Sequence, residues 1–193
     1  MKKSIHILFL VADMSLGYPQ VHADEANEHV DSESACSGLL DHEVRLLNVS
    51  RKVRLCEEFA GKVVLVVNTA SKCAYTDQYE GLEKLYDSYR ERGLVVAGFP
   101  SNDFGAQEPG TEKQIQNFCR LTYSVEFPMF AKTSVLEVNA DPLYKGLADA
   151  SGRYPAWNFH KYLLDSRGQL VADFPSHVDP FDPKLIRMIE SSL

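Results

Sequence analysis

VVLVVNTASKCAYT, residues 63–76, decides how the rest of the chain is read. A run of mostly β-branched apolar residues ends at Asn68 and gives way to a short polar turn that holds Cys73. An unbroken apolar run suits a strand buried on both faces between helices. Folds of that kind carry their sites just beyond the carboxyl ends of the strands, so Cys73 is a candidate reactive thiol. The thiolate is the reactive form, and a neighbouring helix start and the adjacent Lys72 both favour the anion. The competing reading is an inert core residue, since free Cys is among the most buried residue types. A turn flanked by Ser71, Lys72 and Thr76 is a poor place for one.

Outward from this stretch the chain alternates strands and helices. The strand spans Gly61 to Asn68. A helix follows from about Thr76 to Arg92, with Leu82, Leu85, Tyr86 and Tyr89 at helical spacing and Gly93 as its C-terminal cap. Leu94 to Phe99 is a second buried strand, which closes a βαβ unit with a parallel pair. A polar loop, Pro100 to Gly110, leads to Thr111 with Gln114 three residues on, a capping-box pattern. The helix it opens places Ile115, Phe118, Cys119 and Thr122 on one face. Phe127 to Lys132 reads as a strand. Asp141-Pro142 and Asp182-Pro183 are helix starts. Between them a hairpin turns at Asp165 to Gly168, flanked by Tyr162 to Leu164 and Leu170 to Ala172. Ahead of the βαβ unit, Leu46 to Val49 and Lys52 to Leu55 form a short hairpin around Ser50-Arg51. The order, with a thiol at the first βα turn, resembles the thioredoxin fold: α/β, a central mixed sheet flanked by helices.

The N-terminus reads as an export signal over residues 1–23. Lys2 and Lys3 precede an apolar stretch, and Val21-His22-Ala23 offers small residues where a signal peptidase reads. His6 and Asp13 sit in or beside that stretch and argue for the alternative, a cytoplasmic chain. The expected location is periplasmic or secreted. Residues 24–35 carry five acids and no Lys or Arg, and read as a disordered spacer. The folded domain is then residues 36–193. The net charge of −7 argues against nucleic acid or an anionic membrane as partner, and no apolar run is long enough to span a bilayer.

The four cysteines, Cys36, Cys56, Cys73 and Cys119, contain no CxxC and make no Cys/His grouping with metal-ligand spacing. In an exported chain Cys36 and Cys56 make a structural bridge that pins the N-terminal hairpin; otherwise both are free. Donors for negative charge lie elsewhere. Gln107, in the loop FGAQEPG, leaves the second parallel strand beside the first, so its NH₂ can approach Cys73; taken alone it reads as a solvated loop residue. Trp157, the single tryptophan, carries an indole N–H that only donates; taken alone it reads as a core aromatic. Asn158 follows it.

Taken together, VNTASKCAYTDQYEGL, GFPSNDFGAQEPGT, VEFPMF and WNF, in this order, resemble the glutathione peroxidase family over about residues 38 to 193. The resemblance implies a thioredoxin-like fold with an added N-terminal β-hairpin and reduction of hydrogen peroxide and organic or lipid hydroperoxides. It carries the catalytic set onto Cys73, Gln107, Trp157 and Asn158. The first position is cysteine, so no selenium is implied; no cofactor is expected, only an external thiol reductant. In one subgroup a second thiol, here Cys119, resolves the oxidised first one; the other reading of Cys119 is an apolar-face residue beside Phe118. Ser101 stands where many members have another Cys. The short stretch Ala148 to Ala156 resembles monomeric members that use thioredoxin-like reductants rather than glutathione. A redox sensor relaying oxidation to a partner protein would use the same thiols. A non-catalytic binding module would have no need of all four residue types.

Overall fold

The computed structural model describes residue 36 and residues 38–193, so the expected signal segment and acidic spacer lie outside the described residues. The expected first strand is β3, Val63–Thr69, and all seven of its residues are buried. Its side chains alternate between two cores. Val64 and Val66 enter one apolar cluster, and Val63, Leu65 and Val67 the other. The second strand, β4 (Leu94–Pro100), pairs with β3 in parallel from Val63↔Leu94 to Thr69↔Pro100. On the other side β3 pairs antiparallel with β5 (Lys161–Leu164), and β5 with β6 (Leu170–Phe174), giving the order β4-β3-β5-β6. The sheet is therefore mixed, with the parallel pair at one side, in a thioredoxin-like arrangement.

Helices cover both faces. Leu82 and Leu85 of α2 (Gln78–Tyr89), Ile115 and Cys119 of α3 (Glu112–Tyr123), and Leu185 and Ile189 of α5 (Pro183–Ser192) fill the cluster that holds Leu65. Leu143, Tyr144 and Leu147 of α4 (Pro142–Ser151) fill the opposite one, with Leu55 and Cys56 of the short α1 (Leu55–Glu58). Tyr79, one turn before Leu82, extends the buried stripe of α2 and is itself fully buried. The helix ends as the residues require. Gly93 takes φ 108°, the left-handed conformation that only glycine adopts at no steric cost. Thr111 and Gln114 close a capping box on α3. Asp182 caps α5 through its side chain, whereas the Asp141 carboxylate makes no cap hydrogen bond and instead accepts from Thr133 Oγ1 at 3.4 Å.

Two expectations are corrected. The N-terminal hairpin exists, but its first strand is β1, Glu43–Arg45, paired with β2, Lys52–Arg54. Leu46 and Leu47 are drawn away from it: Leu46 bridges Phe130, and the Leu47 N–H donates to Met129 O at 2.9 Å. Residues 127–132 are not a strand. Only isolated bridges form there, Gly98↔Met129 and Leu46↔Phe130, because Pro128 has no N–H to donate to a ladder. Gly98 gives room at that crossing, since a Cβ on it would overlap Met129 Sδ and that side chain would have to move. The structure pairs Cys36 with Cys56 in a disulfide (Cα–Cα 5.1 Å), which ties the start of the described chain to α1. Asp41 lies beside the two sulfurs, but sulfurs committed to a disulfide are not thiolate ligands, so this cluster is no metal site.

Candidate active site

The register of β3 against its neighbours brings three segments to one end of the sheet. Thr69 and Pro100 close the parallel pair together, so the turn after β3 and the loop after β4 leave side by side; Ser101 N–H donates to Thr69 O at 2.9 Å. The antiparallel β5 begins at Lys161, opposite Val67, so the residues just before it arrive at the same place.

Hydrogen bonds stitch these segments. The Lys72 N–H donates to Gln107 O at 3.0 Å, joining the residue before Cys73 to Gln107. Ser71 Oγ donates to the Glu108 carboxylate at 3.0 Å, and Glu108 N–H donates to Asn102 Oδ1 at 2.8 Å. Burial pushes the Glu108 carboxyl above its ordinary range, against the pull of the Ser71 hydrogen bonds and of Lys132 and Lys72. Asn68 Nδ2 donates to Trp157 O at 3.1 Å, and Phe159 N–H donates to Asn68 O at 2.6 Å. Asn158, fully buried, donates through Nδ2 to Gln107 Oε1 at 2.9 Å. That bond occupies the carbonyl end of the Gln107 amide. The NH₂ end donates to nothing among the described residues and remains available.

Cys73 is half-buried and free. Its turn is held by the Thr76 hydroxyl, which accepts from Cys73 N–H at 2.9 Å and donates to Ala70 O at 3.0 Å. The Tyr75 N–H donates to Cys73 Sγ at 3.4 Å. The turn thus aims a backbone donor at the sulfur. Neither this donor nor the Thr76 clamp was singled out from the sequence; a hydroxyl three residues after the cysteine is the local signal for the clamp. Trp157 is not a core aromatic: it is 38% exposed, with its ring 5.4 Å from that of Phe104. Beside the Cys73 turn a cavity of about 450 Å³ is bounded by Ser71, Lys72, Glu108 and the Ile115 and Phe118 face of α3.

Two further residues stand out. Lys161 is fully buried and donates through Nζ to Gln78 Oε1 at 2.7 Å and to Phe159 O at 2.8 Å; burial lowers its pKa to about 7. It clamps the turn in which Phe159 adopts φ 63°. Cys119 is not with the other four. It lies in α3, 1% exposed, with its thiol pushed up to about 11 by burial. A disulfide needs Cα atoms within about 7 Å; both thiols are free here, and Cys119 is held on the buried face of α3.

A family model described as glutathione peroxidase matches residues 41–148, more than half of the chain. The chain belongs to the glutathione peroxidase family. It is an oxidoreductase that acts on peroxide. Among curated relatives it is 47% identical to the glutathione peroxidase-like peroxiredoxin gpx1 of Schizosaccharomyces pombe, over 62% of this chain and 78% of that one. It is 45% identical to the hydroperoxy fatty acid reductase gpx1 of Synechocystis, over 64% of this chain and 79% of that one. Among solved structures it is similar to apo Trgpx, with 33% identity, TM-score 0.62, and coverage of 80% of this chain and 96% of that one. The thioredoxin-like fold and the membership expected from the four motifs are both shown.

Proposed function

We propose that Cys73 is the thiol that attacks peroxide, with Gln107, Trp157 and Asn158 as its polar support and Cys119 as the resolving thiol. The observation that carries the reading is the convergence at Gln107: its backbone carbonyl holds Lys72, next to Cys73, and its side-chain carbonyl holds Asn158. The Cys73 thiolate attacks one oxygen of the O–O bond and becomes a sulfenic acid, while the other oxygen leaves as alkoxide or hydroxide and takes a proton. Donors fixed in advance around that charge lower the barrier. Asn158 acts by orienting the Gln107 amide so that its NH₂ is free to donate. The exposed indole of Trp157 supplies a second N–H. The Tyr75 N–H steadies the sulfur before attack.

Resolution then couples Cys73 to Cys119, and an external dithiol reductant resets the pair; no selenium or other cofactor takes part. A thioredoxin-like reductant is favoured over glutathione. The support is the presence of a second thiol in α3, the short connection between α4 and Trp157, and relatives whose names call them peroxiredoxins. Lipid hydroperoxides join hydrogen peroxide as substrates by analogy with the relative named for hydroperoxy fatty acids. The same reading takes the protein as a monomer, exported to the periplasm or beyond after removal of residues 1–23. The test is one equivalent of peroxide added to reduced protein, followed by alkylation and peptide mass spectrometry. A Cys73–Cys119 link is expected; a Cys73 sulfenic acid or mixed disulfide alone refutes the role of Cys119.

A further inference from the structure

Tyr79 carries a polar atom the fold does not need. The side chain is fully buried, and its hydroxyl oxygen has no hydrogen-bond partner. The ring alone explains the packing: it lies 5.4 Å from Phe159 edge-on and 5.5 Å from Tyr123. Leaving a buried hydroxyl unpaired is costly, and phenylalanine of the same shape would avoid that cost. Such orphaned groups in a native core call for an explanation, and a role in chemistry is one. The hydroxyl lies within reach of two groups, the Thr69 hydroxyl at the end of β3 and the Cys119 thiol, but forms a hydrogen bond of proper geometry with neither. The Cys73 side chain packs against the same apolar cluster that holds Tyr79 and Cys119. Tyr79 therefore stands in the apolar layer that the two free thiols share.

We propose that Tyr79 is a positioning residue for the resolving step, its hydroxyl donating to the Cys119 sulfur as the thiol gives up its proton. The inference rests on the reading of Cys119 as the resolving thiol. In that step Cys119 sulfur bonds to Cys73 sulfur, the Cys73 S–O bond breaks, and the departing hydroxide leaves as water with the proton that Cys119 loses. The Cys119 sulfur is oxidised and the sulfenic sulfur of Cys73 is reduced, so no further reactant is needed. Besides Tyr79, only a lesser backbone hydrogen bond at Cys119 favours the anion. Burial opposes it, and so does the charge of Glu108, which acts on Tyr79 as well. Lys72 and Lys132 face Glu108 and moderate that charge, and the Tyr123 hydroxyl, beyond the Tyr79 ring, is committed to Asp77. A hydrogen bond to a charged group is roughly twice as strong as a neutral one, so a donor idle in the resting state gains its value when the thiolate forms.

The test compares wild type with Tyr79→Phe in single turnover from pH 6 to pH 10. Sulfenic acid at Cys73 is trapped with dimedone, and the Cys73–Cys119 disulfide is followed by quenched alkylation. Oxidation of Cys73 is expected within about twofold of wild type. Disulfide formation is expected to slow on the order of tenfold, with its rise displaced to higher pH. The reduced variant should unfold in urea no earlier than wild type. An unchanged or faster disulfide step, or an undisplaced pH profile, overturns the proposal. So does slowing of both steps together with a lower urea midpoint, the mark of a purely structural residue. If wild type itself forms no such disulfide, the reading of Cys119 fails and takes this inference with it.

Discussion

Glu112 joins separate parts of the molecule, at Arg45, Asn48 and Lys132, and its charge can be tested alone. Its oxygens accept from both terminal nitrogens of Arg45, at 2.6 and 2.7 Å, and from the backbone N–H groups of Asn48 and Lys132. It is also the first residue of α3, where the helix dipole favours an anion. These donors, led by the Arg45 guanidinium, lower its pKa from 4.5 to about 2. At 1.36 kcal/mol per decade such a shift corresponds to about 3 kcal/mol. The side chains of Arg45 and Glu112 are 36% and 21% exposed, so solvent screening reduces the expectation to about 2 kcal/mol. The sign follows from the direction of the shift. The folded-state pKa lies below the unfolded one, so the stabilisation is complete above about pH 4.5 and is lost as pH falls toward 2. Glu112→Gln should therefore lower stability in urea by about 2 kcal/mol at pH 7 and by less than half of that at pH 3. Equal losses at the two pH values would refute the electrostatic account. A loss below about 0.5 kcal/mol at pH 7 would place the pair among ordinary surface ion pairs. Because α3 carries Cys119, the same substitution should also hasten disulfide formation after peroxide, as loosening the start of that helix lowers the cost of moving it.

Gln107→Ala should slow sulfenic acid formation at Cys73 by on the order of 10²–10³, the usual cost of one lost donor, and Asn158→Ala should slow it less, because Asn158 acts by orienting the Gln107 amide; stopped-flow loss within threefold of wild type for Gln107→Ala would remove it from the site. Cys36→Ser opens the bridge across a separation of 20 residues, and urea unfolding should register a loss of about 3 kcal/mol in the chain-entropy model. Peroxide consumption by that variant at 25 °C should match wild type, and its disappearance with an intact fold would contradict a purely structural bridge. Lys161, at about pKa 7 in the fold and near 10.4 when exposed, binds more protons in the unfolded chain between those values. Stability should therefore rise with pH from 7 to 10, and Lys161→Met should flatten that rise; parallel curves for the two proteins would show that burial does not depress this lysine.

The central strand was legible because burial on both faces leaves a plain signature, an unbroken run from Val63 to Val67. Gly93 and the Thr111–Gln114 capping box were legible because they are local, each satisfied within a few residues of itself. What failed was non-local. Leu46 and Leu47 have the composition of a hairpin strand, yet their partners are Phe130 and Met129, far away in sequence. Residues 127–132 have strand-like side chains, but Pro128 at their centre limits them to single bridges. For the candidate site, the residues alone pointed to Cys73, and the resemblance of the four motifs implied Gln107, Trp157 and Asn158 beside it. How they are joined was not legible, since the Asn158–Gln107 bond depends on β5 running antiparallel to β3. The backbone donor on Cys73 Sγ and the Lys161 clamp leave no sequence pattern of their own, because one belongs to a main chain and the other reads as an ordinary charged residue.

The central claim is that peroxide reduction runs through Cys73. Its most direct measurement is steady-state peroxide consumption, with a thioredoxin-like reductant, by wild type and by Cys73→Ser at equal concentration. The account predicts turnover by wild type and none above background by the variant. Equal turnover by both would place the chemistry elsewhere in the molecule and contradict the account.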